Sequence, residues 1–213
     1  MTSPMSPIAK IIRQARAIPV IVIDAIEDAL PLAQALRAGG LSSMEITLRT
    51  AAGLEAIKRL RGAVEGLSVG VGTVLSADDL KRAHAAGADF AVSPGFSDDL
   101  VKLAQSLGLP YLPGAATPGE VMRGRALGLD AFKFFPAATL GGPATLKAWG
   151  DVFPDNHFCP TGGVSPDNAR DYLALAHVAA VGSSMPAPRK MVQEKKWEEI
   201  KALSHQFVAS TQG

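Results

Sequence analysis

Residues 76–110, SADDLKRAHAAGADFAVSPGFSDDLVKLAQSLGLP, contain the unit from which the whole chain is built. Ser76, followed by Asp78 and Asp79, has the form of a helix start, with a side-chain cap and early acids that favour the positive end of the helix dipole. The apolar residues that follow keep helical spacing until Gly87, a residue suited to a left-handed C-cap. The apolar run DFAVSP (89–94) comes next, then Ser97 with Asp98 and Asp99 opens a second amphipathic stretch that stops at Gly108. A buried apolar strand between capped helices is the repeating element of a parallel sheet covered by helices.

The same beat extends in both directions. Gly66, Gly87, Gly108, Gly128 and Gly150 are spaced by 21, 21, 20 and 22 residues, each at or near the end of a helical stretch. Eight apolar runs are expected as strands, at 20–24, 43–49, 67–74, 89–94, 110–115, 131–136, 157–162 and 177–182. Further helix starts are read at Thr117-Pro118 and at Ser165-Pro166-Asp167. Eight strand–helix units in this length predict an α/β protein with a single-domain (β/α)8 barrel, residues 1–213, rather than an open doubly wound sheet. An extra N-terminal helix over 7–17, with Ile8, Ile11 and Ile12 on one face, is placed to plug the lower end, and a closing helix is expected from Trp197 to Ser210.

Composition narrows the function classes. Lys+Arg 21 against Asp+Glu 20 leaves a net charge of +1, too little excess to hold a polyphosphate backbone, and 6% aromatic residues supply little stacking surface. Nucleic acid is excluded on these grounds, and a small-molecule partner is expected. The single cysteine, Cys159, forms no internal disulfide, no secretory leader pattern opens the chain, and the early apolar run ends at Asp24, far short of the ~20 residues a membrane span needs. A cytoplasmic location without membrane association is the expectation.

In such barrels chemistry sits at the C-terminal ends of the strands. In SMEITLR (43–49) alternation puts Met44, Ile46 and Leu48 toward the helices and Glu45, Thr47 and Arg49 toward the interior or its mouth. Glu45 and Arg49 there either serve a ligand or simply pair with each other. In AFKFFP (131–136) Lys133 is the one charged residue of an apolar run. Burial, with Arg49 nearby, favours the neutral amine that adds to a carbonyl to form a Schiff base; the alternative is a lysine that snorkels to water. Thr73, read in phase with Val69 and Val71, ends the third strand on the inward face, as a carboxylate donor or as a local loop bond. Gly70 and Gly72 do not complete a dinucleotide fingerprint, because Leu75 occupies its third glycine position. Gly162 and Gly163 after the seventh strand, with Gly182, Ser183 and Ser184 at the eighth, fit an anion cradle or two tight turns. His157 and Cys159 lack a third ligand, so no metal site is expected.

Taken together, the segments PVIVI, EITLRT, VGVGTVL, AVSPGF, LPGAATP, FKFFPA, CPTGGVSPDN and VGSSM resemble the class I aldolase family that contains 2-keto-3-deoxy-6-phosphogluconate aldolase and the related 4-hydroxy-2-oxoglutarate aldolases. The resemblance implies Lys133 as the Schiff-base lysine, Glu45 as general acid/base, and Arg49 and Thr73 as holders of the pyruvyl carboxylate. It implies that Phe135 packs on the pyruvyl unit, that Pro94 shapes the pocket, and that Thr161 meets the hydroxyl end of the substrate. Gly162, Gly163, Gly182, Ser183 and Ser184 would surround a terminal phosphate. The chain departs from many relatives at Met185, where they carry tryptophan. The implied activity is metal-independent and cofactor-free cleavage of 2-keto-3-deoxy-6-phosphogluconate to pyruvate and glyceraldehyde 3-phosphate, as in the Entner-Doudoroff route, by a homotrimer. Alternatives are 4-hydroxy-2-oxoglutarate as main substrate, a phosphosugar isomerase or epimerase, and a non-catalytic phosphate-ligand binder.

Overall fold

The computed structural model describes residues 4–212; the expected 1–213 span thus includes residues 1–3 and 213, which lie outside the described residues. Helix α1 (Pro7–Ala15) leads into β1 (Ala17–Ile21), and a short 3-10 turn precedes α2 (Ala29–Ala38). Alternation then runs through β2 (Ser43–Thr47), α3 (Ala52–Leu60), β3 (Ser68–Gly72), α4 (Ala77–Ala86), β4 (Phe90–Val92), α5 (Asp98–Leu107), β5 (Tyr111–Leu112), β6 (Gly114–Ala115) and α6 (Pro118–Ala126). It continues through β7 (Ala131–Phe134), α7 (Gly142–Val152), β8 (His157–Pro160), α8 (Ala169–Leu173), β9 (Val181–Ser183), α9 (Arg189–Gln193) and α10 (Trp197–Thr211).

All strand pairs are parallel, in a six-stranded sheet ordered β5-β4-β3-β2-β1-β9 and a three-stranded sheet ordered β6-β7-β8. The result is an α/β fold whose parallel strands curve as a half-barrel. Isolated bridges Phe158↔Val178 and Thr161↔Gly182 carry pairing from β8 toward β9. The run expected as one strand over 110–115 is two, because Pro113 between them has no N–H to give to a ladder. Its carbonyl instead accepts from Lys133 N at 2.8 Å.

The caps of the quoted stretch form as read. Ser76 and Ser97 accept from the N–H groups of Asp79 and Leu100, and Gly87 and Gly108 end α4 and α5 in the left-handed conformation. Thr117 and Glu120 form a reciprocal capping box on α6. Such a cap stabilises a helix by about 1 kcal/mol, so these residues place the strand ends between them firmly.

Several expectations are corrected. Gly150 lies near the end of α7, as read, but as part of the helix and not as its cap: its missing side chain admits the His177 ring, which donates to the Leu146 carbonyl at 2.7 Å. Gly66 sits in the loop beyond α3, which is already over at Leu60. The strands are shorter than the apolar runs, since pairing ends where the neighbour turns away. β1 begins earlier than expected, because Ala17 already pairs with Val181 of β9. The helix expected from Ser165 starts at Ala169, residues 166–168 forming a turn in which Asn168 accepts from Ser165 N.

Side chains sort into two layers. Met44, Ile46, Val69, Val71, Phe132 and Phe134 point outward into the large core shared with the helices. Ile18, Phe90, Val92, Leu112, Ala131 and Cys159 form an inner cluster drawn from strands of both sheets, against which α1 packs Ile8, Ala9 and Ile12. Burying each of those isoleucines contributes roughly 1.5–3 kcal/mol, enough to hold α1 across the strand starts. Val69 and Val71 therefore face the helices, contrary to the phase read from Thr73, and Gly70 and Gly72 face inward.

Candidate active site

Lys133 is placed by its neighbours on β7. Phe132 and Phe134 are wedged outward against Phe158 and Trp149, at ring-centroid distances of 6.1 and 5.1 Å, and strand alternation then turns Lys133 inward. It stands opposite Gly114 of β6 and Cys159 of β8. Glu45 reaches the same point from β2, where Met44 and Ile46 take the outward positions. The Lys133 Nζ donates to Glu45 Oε1 at 3.1 Å and Oε2 at 3.3 Å, with both residues about 5% exposed or less. The charge against Lys133 is therefore the Glu45 carboxylate; neither the snorkelling lysine nor a Glu45–Arg49 pair is realised.

Arg49 lies in the turn after β2, exposed and without an ion-pair partner among the described residues. Thr73 is half-buried one residue past β3, at φ 63. A β-branched residue in the left-handed region costs on the order of 1–3 kcal/mol, a strain of the kind that persists at functional positions. This turn, not strand alternation, sets its direction. Phe135 is half-buried just beyond β7, its ring centroid 5.6 Å from the Lys133 Nζ. Pro94 is half-buried after β4, and its carbonyl is in close contact with the bare Gly114 backbone.

The two glycine clusters come together. Thr161, 6% exposed, bridges to Gly182, whose missing side chain leaves room for the Thr161 hydroxyl. Gly162 and Gly163 take φ 98 and 78, which a larger residue would adopt only with strain. The Ser183 hydroxyl is buried and already committed, donating to Val164 O at 2.6 Å and accepting from Met185 N at 3.2 Å. Ser184 is exposed.

Burial pushes the Cys159 thiol up to about 12, partly offset by Lys133 alongside. A second buried polar chain was not foreseen: Tyr111 donates to Ser93 Oγ at 2.7 Å, and Ser93 donates to Val74 O at 2.6 Å, tying β5 and the end of β4 to the residue after Thr73. The Tyr111 phenol is pushed up to about 12 by desolvation. The only hint in the sequence was a serine at the end of an apolar run. Two cavities, one between α1 and α5 and one around Asp130 and His157, share no residue with the Lys133 site. Among the described residues no group of three or more His, Cys, Asp or Glu gathers, and no helix is long and apolar enough to cross a membrane.

A buried amine in contact with a buried carboxylate, in an α/β fold of parallel strands, is a site of the kind that performs carbonyl chemistry through a lysine. The family model for KDPG and KHG aldolase matches residues 8–203, and the chain belongs to that family. It is 47% identical to the 2-dehydro-3-deoxy-phosphogluconate aldolase of Pseudomonas aeruginosa over 91% of this chain and 88% of that protein. Among solved structures it is similar to the KDPG aldolase of Legionella pneumophila with pyruvate captured as a covalent carbinolamine (TM-score 0.91, 41% identity, 94% of this chain and 97% of that one). It is also similar to the 2-keto-3-deoxy-6-phosphogluconate aldolase of Zymomonas mobilis with 3-phosphoglycerate (TM-score 0.89, 45% identity, 97% of each chain).

Proposed function

We propose that this chain is a class I aldolase that cleaves 2-keto-3-deoxy-6-phosphogluconate to pyruvate and glyceraldehyde 3-phosphate through a Schiff base on Lys133. The observation that carries the reading is the buried contact of Lys133 Nζ with both Glu45 oxygens at 3.1 and 3.3 Å. A carboxylate at that distance takes the amine's proton as the nitrogen attacks the C2 carbonyl, and returns one as water leaves the carbinolamine. Glu45 then removes the C4 hydroxyl proton; the C3–C4 bond breaks, its electrons pass to the iminium nitrogen as an enamine, and the aldehyde departs. Protonation at C3 and attack of water release pyruvate and restore the amine.

Arg49 and Thr73, at the ends of adjacent strands β2 and β3, hold the pyruvyl carboxylate in this reading. Phe135 packs on the pyruvyl unit, Pro94 shapes the wall and Thr161 meets the substrate hydroxyls. Gly162, Gly163, Gly182, Ser183 and Ser184 surround the phosphate. The joining of the two glycine segments through Thr161↔Gly182 supports one shared cradle. The scaffold is a single-domain (β/α)8 barrel with α1 as an extra N-terminal helix, supported by the split strand at Pro113 and the isolated bridges Phe158↔Val178 and Thr161↔Gly182. The enzyme works without metal or cofactor, as a cytoplasmic homotrimer.

One observation favours a second reading, 4-hydroxy-2-oxoglutarate as main substrate: Ser183, with its hydroxyl committed to Val164 and Met185, leaves phosphate to backbone amides and Ser184. Steady-state comparison of the two substrates separates the readings. The mechanism itself is tested by borohydride reduction in the presence of pyruvate, followed by peptide mapping. A reduced pyruvyl adduct on Lys133 is expected; a folded protein that binds pyruvate without forming one overturns the aldolase assignment.

A further inference from the structure

The alternating VGVG segment of β3 lacks the third glycine of a nucleotide motif, yet it lies directly against the acid/base residue. Val69 and Val71 face the helices, so Gly70 and Gly72 line the inner surface. Gly72 stands opposite Thr47 in the β2–β3 register and is buried. A Cβ at this position would lie 2.6 Å from Glu45 Cγ and 2.7 Å from Cδ, and closer still to Oε1. Both hydrogen bonds of the carboxylate go to Lys133 Nζ, and among the described residues no other group orients it. We infer that Gly72 is a positioning residue for proton transfer: the bare backbone of β3 is the seat that holds the Glu45 carboxylate against Lys133, and the inference rests on the aldolase reading above.

Gly70 serves a different end. A Cβ there would meet the Phe90 ring, 2.6 Å from Cδ2, within the inner apolar cluster. At Gly72 the obstructed group is the far part of a flexible side chain, and the backbone is outside the left-handed region. Gly72→Ala therefore folds, and displaces Glu45 by about 1 Å to reach ordinary van der Waals contact, a misplacement that can cost on the order of 100-fold in rate.

The test compares wild type, G72A, E45Q and the G72A/E45Q double variant by two readouts: the borohydride-trapped pyruvyl adduct on Lys133, and exchange of pyruvate C3 protons in deuterated water followed by NMR. G72A is expected to reach the wild-type extent of adduct while exchange slows on the order of 100-fold. The double variant is expected to be no slower than E45Q, because the seat has no separate role once the carboxylate is gone. Wild-type exchange in G72A, or losses that multiply in the double variant, overturns the inference. Absence of the adduct in wild type overturns the aldolase reading instead. If G72A alone does not fold, G72A/E45A, which lacks the obstructed side chain, does; an unfolded double variant also overturns the proposal.

Discussion

Replacing Lys133 by methionine keeps most of the side-chain volume and removes the only cation against Glu45 among the described residues. The two side chains are 7% and 5% exposed, so water does not take over the role of the missing partner. Removing one member of a buried pair leaves an uncompensated charge and costs about 3–5 kcal/mol. In a domain of this size that lowers the melting temperature by roughly 6–20 °C. Adding E45Q removes the orphaned charge while keeping its shape, and is expected to recover most of the loss. The assay is equilibrium urea denaturation at pH 7 on wild type, K133M, E45Q and the double variant, read as a thermodynamic cycle. A K133M protein within about 1 kcal/mol of wild type, or a double variant no more stable than K133M, refutes the description of Lys133 and Glu45 as a coupled buried pair.

Two further predictions concern buried groups whose acidity is weakened by desolvation. With its thiol pushed up to about 12 by burial, Cys159 carries far less thiolate at pH 8 than an unfolded chain, so iodoacetamide labels the native protein only as it opens; rapid native labelling at the unfolded rate contradicts this burial. Tyr111, pushed up to about 12, contributes stability that is complete below about pH 10 and is lost as pH rises through its folded value. Phenolate absorbance is then expected to appear in one step with alkaline unfolding, and a smooth titration of Tyr111 near pH 10 in folded protein would contradict its burial.

Lys133 and Glu45 were legible because each stands alone among large apolar residues, so alternation has one reading: AFKFF and SMEIT leave no choice of face. VGVGT misled for the opposite reason. Glycine carries no side chain to mark a face, and the parity that Thr73 shares with Val69 and Val71 does not carry over to their direction, because Thr73 leaves the strand through a left-handed turn. The evenly spaced glycines were half informative. Gly87 and Gly108 are caps, but Gly150 answers to His177, a residue 27 positions away whose approach no local pattern reveals. Arg49 lies beyond the end of β2 at Thr47, so strand alternation does not set the direction of its side chain. The Tyr111–Ser93–Val74 chain joins residues from three segments and has no signature in any one of them.

The packing of α1 across the strand starts closes one side of the site. Ile8, Ala9 and Ile12 cover the inner cluster on the side of Ala131, two residues before Lys133. In the proposed mechanism C2 of the pyruvyl unit is bonded to Lys133, so the aldehyde leaves first on cleavage and pyruvate loads first in synthesis. The covalent bond sets that order, and the helix, which takes no part in bond breaking, keeps the strand starts behind the lysine covered.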